Sequence, residues 1–282
     1  MESGISRILA AIASQQPQAG WLERRATIVE QRHRLVTMLA REPHFPVYGF
    51  TTLLGQLDNT QISAEDQYRL LRGHLVGEPG ELLDPMPMML LATKIEQLTQ
   101  GGSGIHFETY DFLLDRCRTP IESMSGAWFA SYGSADVVPG AWWLHGLTAG
   151  GTQPRLQMGD LIALISGNFV STAFALAASV QLLDYLSVFL GHAFLSADAP
   201  PTGTTAAART WLYRELDTRI RRPGPAIHEH LPTQRPVSTR DVSVYVSPIA
   251  KVVDELRDAL EFRLAGCTSN PLFVFSTSGE PV

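Results

Sequence analysis

From Leu161 to Leu183 the chain reads LIALISGNFVSTAFALAASVQLL, with no charged residue. A run of this length can cross a bilayer as a helix, so the fold must bury it in lipid or in protein. Ser166, Asn168, Ser171, Thr172, Ser179 and Gln181 recur through the run, and Asp160 and Asp184 bracket it. No cluster of Lys or Arg flanks either end, which removes the charge asymmetry that orients membrane spans. Small and hydroxyl side chains also let helices approach closely inside a water-soluble bundle. The segment is therefore expected to be a buried central helix, apolar on all sides because neighbours surround it, and no membrane association is expected.

The remaining pattern is helical almost throughout. SPIAKVVDELRDALEFRL places Ile249, Val252, Val253, Leu256 and Leu260 at helical spacing with Asp254, Glu255, Arg257 and Asp258 opposite. Similar periodicity runs through 25–39, 64–76 and 87–98, whereas apolar–polar alternation is short. Loops are marked by GEPGELLDP, QGGSG, GLTAGGTQP, SADAPPTGTT and RRPGPAIHEHLPTQRP. The expected fold is all-α, one domain over residues 1–282, with no repeat and no linker. At 282 residues, 45% hydrophobic and 18% charged, the chain can bury one substantial core.

Charge and cysteine content exclude whole classes of function. A net charge of -6 and the lack of any basic run give no reason to bind nucleic acid. Cys117 and Cys267 are too few for a disulfide framework or a cysteine-rich metal site, which fits a reducing compartment. The opening MESGISRILAAIASQQPQAGW begins with an acid and lacks an apolar core, so it does not read as a signal peptide and a cytoplasmic location is expected.

General catalytic signatures are missing. There is no phosphate-cradling Gly-Lys-Ser/Thr loop, no nucleotide fingerprint and no Gly-x-Ser-x-Gly elbow. The HEH at 228–230 and the Asp111/Asp115 pair read as solvated surface, and no metal is expected. One loop has two readings. In VYGFTTLLG, Tyr48 either belongs to a plain turn after Pro46 or presents its phenol to a pocket.

Five segments, in order along the chain, resemble the aromatic amino acid ammonia-lyase superfamily, which includes histidine and phenylalanine ammonia-lyases. Tyr48, Gly49, Thr52 and Gly55 match its Tyr-Gly-x-Asn-Thr-Gly-Phe-Gly loop in register. LLRGHLVG is similar to the helix carrying its substrate-selectivity pair, with Gly73 and His74 where histidine-specific members have Ser and His. MMLLATKIEQLTQGGSGI is similar to the stretch ending in its Gly-x-Ser-Gly-Val-like turn, and GDLIALISGNFVSTAFALA to its Glu-Gly-Leu-Ala-Leu-x-Asn-Gly-Thr helix start. LAGCTSNPLFVF resembles Asn-Ser-x-Thr-Asp-Asn-Pro-Leu. The resemblance implies an elongated helical bundle like the lyase core, without the further C-terminal helical part of typical members. It also implies a homo-oligomer, because family active sites draw on several subunits.

The departures point to altered chemistry. Family enzymes form an electrophilic methylidene-imidazolone, MIO, from an internal Ala-Ser-Gly. Here Gly133, Ser134 and Ala135 precede Asp136, and the Cβ of Ala135 stands where ring closure needs glycine. No MIO, and no other cofactor, is expected. Ser166 takes the place of the asparagine that assists MIO, with Asn168 close by. Arg240 takes the place of a family glutamine, no arginine stands at the carboxylate-binding position, and Ala265 replaces the first asparagine of the last motif.

What remains is acid–base chemistry on an activated, carrier-bound or small-molecule substrate: elimination, isomerisation or a cyclising conjugate addition, in natural-product biosynthesis. The resemblance implies that Tyr48 is the base. A tyrosine phenol, ordinarily near pKa ~10, serves as one only if its surroundings stabilise phenolate or pass the proton onward. His74 is a candidate for orienting or protonating substrate, or a satisfied helix histidine. Trp142 is a candidate pocket wall beside Trp143 and His145, although adjacent tryptophans cannot face one side of a helix. Ser166 and Asn168 are candidate donors to an enolate, or bond their own helix. Thr51 either touches substrate or braces the loop. The competing reading is a non-catalytic structural or ligand-binding partner.

Overall fold

The computed structural model describes residues 3–130, 135–149, 151, 153–196, 243–266 and 268–274. The chain packs as two compact units, residues 1–174 with 261–282, and residues 175–260. The sequence reads as one domain because both breaks fall inside helices, where no Pro- or Gly-rich linker marks them.

The first unit begins with α1 (Gly4–Ser14) and α2 (Ala19–Arg41). Ser3 caps α1 by accepting from Ser6 N. The Glu261 carboxylate accepts from Gly4 N at 3.0 Å and Ile5 N at 3.2 Å, placing an anion at the positive end of α1. A capping box between Ser63 and Asp66 then introduces α3 (Gln67–Gly73). Next come α4 (Met86–Leu98), α5 (Phe107–Arg116), α6 (Val137–Thr148) and α7 (Asp160–Ile165).

The helical expectation holds, with one addition. GELL, inside a stretch read as loop, forms β1 (Gly80–Leu83), which pairs antiparallel with β2 (Ser123–Gly126) in register Gly80↔Gly126 to Leu83↔Ser123.

Helix α4 departs from its amphipathic reading. Every residue from Pro87 to Leu98 is buried, including Thr93, Lys94, Glu96 and Gln97, because α1, α5 and β1 pack around it. Its polar side chains therefore need internal partners. Glu96 finds them in Arg7, whose Nε donates at 2.9 Å, and in Trp21, whose Nε1 donates at 2.7 Å.

The long apolar run is likewise not one helix. α7 stops at Ile165, Ser166–Asn168 turn the chain, and α8 (Phe169–Ser196) follows. Gly167 makes this possible at φ +97°, in a region that L side chains rarely adopt. Asp160–Phe189 has the length and composition to cross a membrane, and 67% of its most apolar window is buried in protein. In the second unit, α8 buries Leu176, Ser179 and Leu183, while Leu182 (39%), Tyr185 (75%) and Phe189 (52%) are exposed. Burial on all sides thus fails for the distal half of α8. The last helix, α9 (Ser243–Leu264), buries Ala250, Val253 and Leu260.

Glu96 is the acceptor on which α1, α2 and α4 converge. Glu96→Ala is expected to lower unfolding free energy by roughly 3–5 kcal/mol, the range for removing one partner of a buried ion pair. A urea titration followed by circular dichroism measures it.

Candidate active site

The Ser166–Asn168 turn is held by three separate segments. From α4, Lys94 Nζ donates to Ser166 O at 2.9 Å and Gln97 Nε2 to Asn168 Oδ1 at 2.9 Å. From the tail, Asn270 N donates to Ser166 Oγ at 2.9 Å, and Asn168 N to Thr268 Oγ1 at 3.5 Å. From the start of α6, Asp136 N donates to Gly167 O at 2.8 Å. The Asp136 carboxylate then accepts from Ser171 N and Ser171 Oγ at 2.8 and 2.9 Å, an anion at the N-terminus of α8. Phe169 packs under the turn, 4.7 Å from Lys94 Nζ and edge-on to Trp143 at 5.0 Å.

This network fixes which way the Asn168 amide faces. Gln97 Nε2 also donates to Arg263 O at 3.4 Å, and Thr268 Oγ1 donates to Gln97 Oε1 at 3.1 Å. A backbone carbonyl can only accept, so the Gln97 nitrogen faces Asn168 and Asn168 must answer with oxygen. The half-buried Asn168 is left with its Nδ2 protons free of any acceptor among the described residues. Ser166, by contrast, is buried and its hydroxyl is taken up by the tail.

Tyr48 lies in a loop wound around one carbonyl. Val47 O accepts from the backbone N of Phe50, Thr51 and Thr52 at 3.0, 2.8 and 3.2 Å. Thr51 braces the loop: its Oγ1 accepts from Val47 N at 2.7 Å and donates to Phe45 O at 3.1 Å. The half-buried Tyr48 accepts from Gly55 N at 3.0 Å, leaving its own proton unbonded among the described residues. Gly49, at φ +66°, presses on α7: an added Cβ would lie 2.9 Å from Ile162 Cβ. Thr51 also lines a cavity of about 410 Å³ that Tyr48 does not border.

His74 and Trp142 are each bonded to the backbone around the end of α3. His74 Nδ1 donates to its own helix at Leu70 O, 2.8 Å away. Trp142 Nε1 donates to Val76 O at 2.9 Å, whereas Trp143 turns inward and is fully buried. The six candidates thus fall in three places around α7: Tyr48 and Thr51 on its flank, Ser166 and Asn168 at its C-terminal end, His74 and Trp142 where α3 meets α6.

The sequence profile described as Aromatic amino acid lyase matches residues 6–141. Histidine ammonia-lyase of Salmonella arizonae is 27% identical over 273 residues, covering 83% of this chain and 54% of that protein. Among solved structures, phenylalanine aminomutase of Pantoea agglomerans superposes at a TM-score of 0.68 with 18% identity, over 100% of this chain and 64% of its own. Histidine ammonia-lyase of Trypanosoma cruzi superposes at 0.61 with 19% identity, over 98% of this chain and 58% of its own. Over these stretches the chain is similar to the aromatic amino acid lyases, and it shares the fold of the solved lyases and aminomutases. It spans about half the length of the curated relatives it matches.

Within this lyase-like unit, sequence reading missed Lys94, Gln97 and Thr268. The signal of Lys94 and Gln97 was present in MMLLATKIEQLTQ, where polar residues interrupt a helix too apolar to face water; Thr268 carried none. Of the tripeptide region, Gly133 and Ser134 lie outside the described residues, as do His228, His230, Arg240 and Cys267; Ala135 is half-buried.

Elsewhere in the first unit, burial governs ionisation. Asp160 is fully buried, which pushes its carboxyl pKa up against hydrogen bonds from Thr109 Oγ1, His106 N and Gln157 N. Burial pushes the Tyr68 phenol and the Cys117 thiol each up to about 12, which makes Cys117 an unreactive thiol rather than a nucleophile.

Gly167 is the most constrained residue of the turn, since an added Cβ would stand 2.4 Å from Thr268 Oγ1. Gly167→Ala is expected to cost roughly 1–3 kcal/mol of stability. It should also broaden the side-chain amide resonances of Gln97 and Asn168 in a ¹⁵N spectrum.

Proposed function

We propose that this lyase-like protein carries out MIO-independent acid–base chemistry on an activated small-molecule or carrier-bound intermediate. The observation that carries the reading is the Asn168 carboxamide, oriented by Gln97 so that its Nδ2 protons meet no acceptor among the described residues. A preoriented donor beside a helix N-terminus is suited to oxygen that gains charge as an enolate forms. Tyr48 takes the substrate's C–H proton once its own has passed to solvent or a second base. Elimination, isomerisation and cyclising conjugate addition all proceed through such a step, and natural-product biosynthesis supplies substrates of this kind. His74 and Trp142 serve as pocket residues.

MIO does not fit the residues present. Its closure needs a glycine nitrogen after the serine, and Ala135 supplies a Cβ there. We place the protein in the cytoplasm as a homo-oligomer. The exposed residues Ala175, Ala178, Leu182, Tyr185 and Phe189 lie at alternating spacings of three and four, the seam by which helices of separate copies pair. A second reading, a non-catalytic partner protein, is favoured by the Tyr48 phenol folding back on Gly55 N within its own loop.

Metabolite profiling of a deletion strain separates the two. Wild-type protein is expected to restore a missing product, while Tyr48→Phe and Asn168→Asp, at equal protein level, leave its precursor standing with product reduced about 10²-fold or more. Full restoration by both variants would exclude the enzyme reading. Intact mass spectrometry is expected to match the unmodified chain; a deficit of two waters would show that MIO forms.

A further inference from the structure

A cavity of about 580 Å³ opens between the middle of α2 and the start of α5. Its volume falls in the range of small-molecule sites. Val29, Val36 and Met158 give it an apolar wall, and Arg32, His33 and His106 line the rest of its charged or titratable surface. Among the described residues no carboxylate lines it, although Glu108 Oε2 stands 3.7 Å from His106 Nδ1 at its edge, in a protein whose net charge is -6.

The guanidinium of Arg32 is what makes the cavity unusual. Arg32 is only 6% exposed, yet its terminal nitrogens donate to neutral carbonyls, Gly104 O and, at 2.9 Å, Met158 O. Its Nε is buried with no partner, and the Phe50 ring lies 4.9 Å from Cζ. Asp160 acts on it only at longer range, because the Asp160 oxygens are turned to His106 N, Thr109 Oγ1 and Gln157 N. A buried cation without an ion-pair partner leaves a positive field in the adjoining space.

His106 adds a donor. Its Nδ1 accepts from Glu108 N, the N-cap of α5, so the neutral ring carries its proton on Nε2. Burial lowers the His106 pKa, in keeping with that neutral form.

We propose that this cavity binds a small organic anion, an aliphatic carboxylate whose chain lies against Val29 and Val36 and whose head faces His33, His106 and the Arg32 field. The site adjoins the Tyr48 loop through Phe50 and shares Val36 and Met158 with the 410 Å³ cavity, yet Tyr48 does not line it and the proposal does not depend on the lyase reading. It would serve a substrate subsite or an effector equally, since both present the same head group.

Isothermal titration of the full chain with hexanoate and with 1-hexanol, alike in shape and different in charge, tests it. Hexanoate is expected to bind at least about tenfold more tightly than the alcohol, the equivalent of one charge-assisted contact. Val29→Trp, which fills the cavity, is expected to abolish binding. Thr119→Trp, in a 450 Å³ cavity that shares no lining residue with this one, is expected to leave it unchanged. His33→Glu, at an exposed position, should weaken hexanoate about tenfold with an unaltered circular dichroism spectrum. Absence of hexanoate binding, equal binding of the alcohol, or undiminished binding by both Val29→Trp and His33→Glu would overturn the proposal.

Discussion

The Asp160 carboxylate is the constraint on which the first unit depends. A fully buried carboxylate is tolerated only when its oxygens are saturated, and here Thr109 Oγ1 at 2.6 Å, Gln157 N at 2.7 Å and His106 N at 2.8 Å do so. Those donors come from the start of α5 and from the turn before α7, so one side chain fixes where both helices begin. Arg32 completes the arrangement from α2, joining the Gly104 and Met158 carbonyls that lie on either side of the same cluster. Apolar packing alone would allow α5 and α7 to slide along each other. Directional bonds to a group that cannot stay unpaired do not allow it.

The same logic explains α4. A helix buried on all sides would be cheapest as pure hydrocarbon, yet it carries Lys94, Glu96 and Gln97. Each points to a different neighbour: Glu96 to α1 and α2, Lys94 to the α7–α8 turn, Gln97 to that turn and to the tail. The helix is thus a polar spine whose bonds specify which segments meet. The break in the apolar run at Gly167 is one result, since Lys94 and Asp136 bind the carbonyls that the turn frees from helical pairing.

Helix content was legible in the sequence because periodicity and loop signals survive without tertiary context; α2, α3, α4 and α9 follow from spacing. Two failures have a common cause. GELL and Ser-Gly-Asn are short segments whose conformation is decided by a distant partner, β2 in one case and the 268–270 tail in the other. Ser-Gly-Asn does carry turn chemistry of its own, but the surrounding apolar run masks it. Among candidate residues, the resemblance led to Tyr48, Ser166 and Asn168, and only geometry separates the last two. Ser166 Oγ is occupied by Asn270 N, whereas Asn168 Nδ2 is not occupied. The burial of Gln97 was legible, but its role was not, because that role exists only through a network of three residues from three segments.

The two halves of the proposed chemistry are linked by α7. Gly49 packs on Ile162, and Ser166 follows one turn later, about 6 Å along the helix axis. A short rigid helix therefore sets the spacing between the tyrosine loop and the Asn168 donor. Mechanisms that rely on positioning rather than a bound electrophile need such a fixed spacing, because the rate gained from orientation disappears when two groups drift independently. The buried anchor at Asp160 holds one end of α7 and the Lys94–Gln97 pair holds the other. Both ends of this six-residue helix are thereby pinned by directional polar bonds, and it is this pinning that would keep the tyrosine loop and the amide donor at a constant separation.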